Sequence, residues 1–198
     1  MNIREARLAD AAAIAKVHVD AWQTTYDGLL PDDYISQRSC AKRLEKWTKR
    51  LNNNSHSQQT KTYFTYVAEN EAGKIVGFID GGLLRGNSAT YKGEIYALYI
   101  LTAYQRQGFG KRLVQAIATR LSELGLNSIL VWALAQNPAI YFYQALGGQL
   151  IGHKTLKIDN AKFTEFASAL DEIDDMGKSE KRSLDSYLQR LIEHVLKL

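Results

Sequence analysis

The sequence predicts a three-layer α/β domain, a mixed and mostly antiparallel sheet flanked by helices, with an extra helix at the C-terminal end. Three observations point there. Runs rich in β-branched and aromatic residues alternate with segments whose apolar residues recur at helical spacing. Residues 94–101 form such a run and lead through a glycine-rich turn into an amphipathic stretch. With the apolar run at 128–134 this makes a strand–helix–strand crossover.

Residues 3–6 read as a short first strand. Asp10 then caps a helix to about residue 24, with Ile14, Val17, His18 and Ala21 on one face. Residues 26–31 form a turn, and a second helix is expected over 32–51. Residues 52–60 hold three asparagines, His56 and two glutamines without a period, so they read as a polar loop. Strands follow at 63–68 and 75–82, joined by a hairpin turn at Glu71-Ala72-Gly73-Lys74. After the strand at 94–101, Leu113, Val114, Ile117, Leu121 and Leu124 mark a helix that Gly125 closes. Asn137-Pro138 opens another helix, asparagine at the cap and proline in the first turn, and Gly147-Gly148 ends it. A sixth strand covers 149–158. Residues 162–170 make a poor seventh, since Ala167, Ser168 and Ala169 have low β propensity. Residues 171–178 read as a charged linker after a domain spanning 1–170. Residues 179–198 carry Leu184, Leu188, Leu191, Val195 and Leu198 on one helical stripe, which needs a partner surface on its own domain or in a homodimer.

At 198 residues, 45% of them hydrophobic, one ordinary domain with a real core is expected. No apolar run approaches the roughly 18 residues of a membrane span, and no signal-peptide pattern opens the chain. The single cysteine, Cys40, excludes an internal disulfide and fits a reducing compartment, so the expected location is cytoplasmic. The net charge of +4 is dispersed, which argues against nucleic acid. Lys42, Arg43, Lys46, Lys49 and Arg50 cluster on one expected helix and read as a solvated face. No histidine pair has metal-ligand spacing, so no metal is expected; His18 either lines a site or fills the core.

The chemistry centres on Gln105-Arg106-Gln107-Gly108-Phe109-Gly110. Glycines there let the backbone approach a ligand, and the first free N–H groups of the following helix point at it. That is a cradle for an anion, best a pyrophosphate. A P-loop would place Lys-Ser or Lys-Thr after the last glycine, but Lys111 is followed by Arg112. A dinucleotide fingerprint would place a third glycine where Leu113 stands, and an acidic residue about 20 positions on. Gln105, Gly108 and Gly110 fit instead the pattern Q/R-x-x-G-x-G/A.

In that loop the chain resembles the GCN5-related N-acetyltransferases. Residues 94–100 look like the family's fourth strand, 137–147 are similar to its N-x-x-A-x-x-F-Y-x-x-L-G segment, and Ile3-Arg4-Glu5-Ala6 with Asp10 looks like its start. Order and spacing agree over residues 1–158. The resemblance implies acetyl-coenzyme A as cosubstrate and direct acetyl transfer to a primary amine of a small molecule or peptide. It implies a pyrophosphate held by Gln105, Arg106, Gln107, Gly108, Phe109, Gly110 and Lys111. It implies a pantetheine arm paired with Leu98, Tyr99 and Ile100 and bonded by Asn137. Glu94, fourteen residues before Gly108, resembles the catalytic glutamate of those relatives that have one. Tyr143 resembles the tyrosine that protonates the departing thiolate. Trp22, Tyr26, Tyr34 and Arg85, with Leu84, are the expected acceptor lining. Thr102 stands where proline or aspartate is common and Gly148 where an aromatic usually follows. The rival reading is a non-catalytic acetyl-coenzyme A-binding module that regulates or recruits.

Overall fold

A strand buried along its whole length must carry a layer on each face, and β3 (Ile75–Leu83) is buried at every position but the last. In the computed structural model, which describes residues 1–53 and 62–171, β3 lies inside a seven-stranded sheet. The strands are β1 (Asn2–Glu5), β2 (Tyr63–Glu69), β3, β4 (Gly93–Ile100), β5 (Ser128–Leu134), β6 (Gln149–Ile158) and β7 (Ala161–Asp171). Their spatial order is β1-β2-β3-β4-β5-β7-β6, and β4–β5 is the parallel pair, all other neighbours being antiparallel.

The helices are α1 (Ala11–Tyr26), α2 (Asp32–Ser36), α3 (Cys40–Asn53), α4 (Phe109–Ser122) and α5 (Ala139–Ala145). The core lies on both faces of β3, and a register shift that leaves Val76 without a cross-strand partner on β2 puts Val76 on the same face as Ile79. Val76 and Ile79 pack with Leu113, Val114, Ile117 and Leu121 of α4. Phe78 packs on the other face with Ile14 and Val17 of α1 and Trp47 and Leu51 of α3. Both α4 and α5 end in the same device. Gly125 and Gly147 take φ of +73° and +89°, and the residue after each donates to the carbonyl five positions back, Leu126 to Leu121 and Gly148 to Tyr143.

Several expectations need correction. The single helix expected over 32–51 is two, because Ser39 starts a new one: its hydroxyl accepts the Lys42 N–H at 3.3 Å and its carbonyl the Arg43 N–H at 3.1 Å. The basic residues of α3 are not one solvated face. Lys42, Lys46 and Lys49 are exposed, whereas Arg43 and Arg50 are half-buried. Asp10 does not cap α1 through its side chain; its carboxylate binds Arg4 at 2.7 Å and accepts the Arg7 N–H. The weakly written seventh strand is an interior one. Ala167 lies opposite both Trp132 and Gly152, and Ala169 opposite both Leu130 and Gln149, so pairing on two sides outweighs the poor propensity. The linker expected at 171–178 lies outside the described residues apart from the backbone of Asp171, which ends β7; the leucine-striped helix at 179–198 and its possible dimer contact, with His56 and His194, also lie outside. Of the polar loop at 52–60, only Asn52 and Asn53 are described, and they close α3. Among the described residues no helix is long and apolar enough to cross a membrane.

Candidate active site

The parallel pair β4–β5 holds together over only three residue pairs, Gly93–Ile129, Glu94–Leu130 and Ile95–Val131. Beyond them β4 stays paired to β3 as far as Ile100, while β5 continues along β7 to Leu134. The strands therefore splay, and the β5-facing side of residues 96–100 has no ladder partner. Leu98 and Ile100 turn toward the α4 layer, and Ala97 and Tyr99 toward α1.

At the end of β4 a 3-10 turn (Thr102–Tyr104) leads into the glycine loop. Two side chains tie that loop down: Gln105 Nε2 donates to the Ile100 carbonyl at 3.1 Å, and Gln107 Nε2 to the Ala103 carbonyl at 2.8 Å. Arg106 and Gly108 are left-handed, at φ +59° and +83°. The first helical bond of α4 runs from the Arg112 N–H to the Gly108 carbonyl at 3.2 Å. None of the N–H groups of Gln107, Gly108, Phe109 and Gly110 donates to a backbone carbonyl among the described residues. Phe109 is buried and meets Tyr104 edge-on, which anchors the turn. A Cβ on Gly110 would come within 3.1 Å of the Phe142 ring, so α4 and α5 approach closely there.

At the far side of the splay, Asn137 is buried, and its Oδ1 accepts the Ala139 N–H at 2.9 Å to start α5. Tyr26 neighbours both Asn137 and Tyr99. Tyr143 is buried on α5, and burial, then the neighbouring Tyr26, pushes its phenol pKa up. Burial likewise raises Tyr26 and Tyr99. These phenols keep their protons throughout the neutral range. Beside Tyr143, Phe142 packs against the core, whereas Tyr141 is 64% exposed.

Glu94 sits in the paired part of β4, buried, and both its oxygens are engaged. Oε2 accepts the Arg85 N–H at 2.8 Å, and Oε1 accepts Arg85 Nη2 at 2.6 Å. Arg85, whose side chain is 61% exposed, also lies 4.3 Å over the Tyr96 ring. Arg50 reaches the same ring at 5.2 Å while pairing with buried Asp80. Burial chiefly pushes Tyr96 up to about 12, and its hydroxyl donates to the Leu83 carbonyl.

The expected acceptor residues form two groups. Trp22, Tyr26 and Tyr34 come together, with ring centroids of Trp22 4.2 Å from Tyr26 and 6.4 Å from Tyr34. Arg85 and Leu84 lie elsewhere, with Glu94, Trp132 and Lys154 around a groove of about 700 Å³.

The comparisons with known proteins meet this geometry. The model of the Acetyltransferase (GNAT) family matches residues 22–165. An uncharacterised N-acetyltransferase of Bacillus subtilis, YuaI, is 37% identical over 165 residues, covering 83% of this chain and 90% of that one. The chain belongs to the GNAT acetyltransferase family. Family membership makes it an acyltransferase that draws on acetyl-coenzyme A. The fold agrees with that of the PaiA N-acetyltransferase of Thermoplasma acidophilum in complex with coenzyme A, at TM-score 0.62 and 21% identity, covering 86% of this chain and 98% of that one. It also agrees with the ribosomal-protein-S5-alanine acetyltransferase of Vibrio fischeri, at TM-score 0.67 and 20% identity over 85% and 91% of the two chains. A second model, a domain of unknown function called DUF29, matches residues 152–198. Its described portion is most of β6 and all of β7, two strands of the same sheet.

In this GNAT chain the structure adds residues that the sequence reading passed over. Arg38 lies 3.9 Å over the Trp22 ring and donates to the Tyr34 hydroxyl at 2.7 Å. Arg43 lies 6.0 Å from the same ring. Their signal was an arginine on either side of the Ser39 helix start, facing the expected aromatics. Trp132, with Lys Nζ of residue 154 at 3.9 Å, forms part of the groove wall. His18 fills the core: Trp47 Nε1 donates to its Nδ1 at 3.2 Å, and its ring stacks on Tyr99 at 4.7 Å. Among the described residues no three of His, Cys, Asp or Glu converge as a metal site.

Proposed function

We propose that the chain acetylates a primary amine of a small molecule or peptide, using Glu94 and Tyr143 for proton transfer and the residues 105–111 loop for the pyrophosphate. The observation that carries this reading is the splay between β4 and β5, which opens between the N–H groups of the glycine loop that follows β4 and the buried Asn137 and Tyr143 that follow β5. The splay leaves backbone N–H and C=O groups at 96–100 to pair with the amides of a pantetheine arm, as a strand would. The left-handed Arg106 and Gly108 fit the cradle to a bound pyrophosphate, and Arg106, Lys111 and Arg112 supply charge beside it.

When bound, acetyl-coenzyme A supplies the activated acetyl group. The protein's own residues hold and move protons. Tyr143, kept neutral by burial, has a proton to give to a departing thiolate. Glu94 is held by Arg85 and receives the proton of the amine, directly or through water, when the exposed guanidinium swings off. The other acceptor residues of this reading are Trp22, Tyr26, Tyr34 and Arg85.

Calorimetric titration with acetyl-coenzyme A, followed by a thiol-release screen across polyamines, aminoglycosides, amino acids and peptides, tests it. One-to-one binding and turnover with at least one amine are expected. Absence of binding refutes the cradle, and binding without turnover across the panel favours the non-catalytic alternative.

A further inference from the structure

Guanidinium groups in a partly buried place need anions, and the protein supplies them at most such positions. Half-buried Arg4 pairs with Asp10 and Glu69, Arg50 with Asp80, and Arg120 with Glu123. Arg38 and Arg43 are half-buried too, yet among the described residues no carboxylate lies within ion-pair distance of either. They converge on one place, their Cζ atoms 3.9 and 6.0 Å from the centroid of the Trp22 ring. Two donor atoms of that cluster, Trp22 Nε1 and Arg38 Nε, are buried without a hydrogen-bond acceptor. The local field is positive. Burial, then Arg38, lowers the Arg43 pKa, and burial, then Arg43, Arg38 and Lys46, depresses His18.

We propose that Arg38 and Arg43, with the Trp22 indole N–H, bind a carboxylate carried by the acceptor itself, so that the acceptor is an amine that also bears a carboxylate: an amino acid or a short peptide. The proposal rests on the acetyl-transfer reading above and narrows its substrate class. Position supports it. The Trp22 ring lies 4.2 Å from the Tyr26 ring, and Tyr26 neighbours both Asn137 and Tyr143. One aromatic side chain, Tyr26, therefore links the anion site to the proposed acid Tyr143. Chemistry supports it as well: planar guanidinium forks match a carboxylate in a bidentate way, and a bound carboxylate provides the anion that both arginines lack.

The test is acetyl transfer, read as thiol release, from acetyl-coenzyme A to amino acids and dipeptides against the same molecules as C-terminal amides. The free acids are expected to exceed the amides by at least about tenfold in kcat/KM. Arg43→Met is the main variant, because Arg38 stacks directly on Trp22 and its loss loosens α2; circular dichroism confirms that each variant is folded. Arg43→Met is expected to erase most of the preference and leave the KM for acetyl-coenzyme A unchanged. Amides that match acids in the wild type, or a preference that survives both Arg43→Met and Arg38→Met, overturn the proposal. If no amine of either kind is acetylated, the acetyl-transfer reading fails, and the anion site is judged by Trp22 fluorescence. N-acetylglycine should then change the emission where N-acetylglycinamide does not, and Arg43→Met should abolish the difference. No carboxylate-specific change in the wild type refutes the site.

Discussion

His18 links the core to pH. Its ring is 7% exposed, stacked on Tyr99, and accepts the Trp47 N–H, so a second ring proton has no place to go. Burial chiefly, then Arg43, Arg38 and Lys46, depresses its pKa from 6.5 to about 3. The unfolded chain binds a proton below about pH 6.5 that the folded chain refuses until about pH 3. Stability from this group is therefore complete above pH 6.5 and falls steadily as pH drops toward 3. At pH 5 the loss is about 2 kcal/mol, from 1.5 pH units below the unfolded pKa at about 1.4 kcal/mol per unit. The urea midpoint should drop by about 1 M between pH 7.5 and pH 5. Acidic groups titrate in part of the same range: Asp10, Glu45 and Glu69 have lowered pKa values and also lose stability on acidification. The comparison that isolates His18 is His18→Gln, which offers Trp47 an acceptor and cannot titrate. Its midpoint should fall less than the wild type's by nearly the whole 1 M. Equal drops in the two proteins would refute the argument that His18 stays neutral in the fold.

Further outcomes follow from the site. Tyr143→Phe should cut kcat about a hundredfold with the KM for acetyl-coenzyme A unchanged, and steady-state kinetics with full turnover would reduce Tyr143 to packing. Glu94→Gln should lower kcat by a similar factor; an unaltered kcat would move base catalysis to water. Gly108→Ala places a Cβ at φ +83°, at a cost of about 1–2 kcal/mol, and calorimetry should show weaker acetyl-coenzyme A binding by about tenfold. Arg50→Met leaves Asp80 buried with Thr65 as its remaining partner, and urea titration should show a loss of about 3 kcal/mol.

The sequence made some of this architecture readable because certain residues have few alternatives. Gly108 and Gly125 mark left-handed backbone, and Asn137 before Pro138 marks a helix start, so the segment from β4 to α5 could be placed element by element. Glu94 and Tyr143 were placed only through the spacing of a family resemblance. What escaped depended on neighbours. Ala167, Ser168 and Ala169 look unlike a strand until Trp132 on one side and Gly152 on the other give them ladders. The break before α3 contains neither glycine nor proline, and its marker was the Ser39 hydroxyl. Arg38 and Arg43 resembled any solvated lysine or arginine, because a periodic pattern records which face a residue takes but not whether a carboxylate waits there. Likewise the Arg85–Glu94 pair joins a loop to a strand, a contact that no spacing rule announces.

The splay between β4 and β5 has a consequence for solubility. Exposed strand edges recruit other chains, and proteins usually blunt them with charge, proline or a covering element. Here an unpaired edge with the sequence Tyr-Ala-Leu-Tyr-Ile is kept at the centre of the sheet, walled by β3 on one side and β5 on the other. The gap is closed at one end, where β4 and β5 pair over Gly93–Ile95 and Ile129–Val131, so it is not a free sheet edge along which another chain can run. The protein can leave a hydrophobic edge open without inviting aggregation through it.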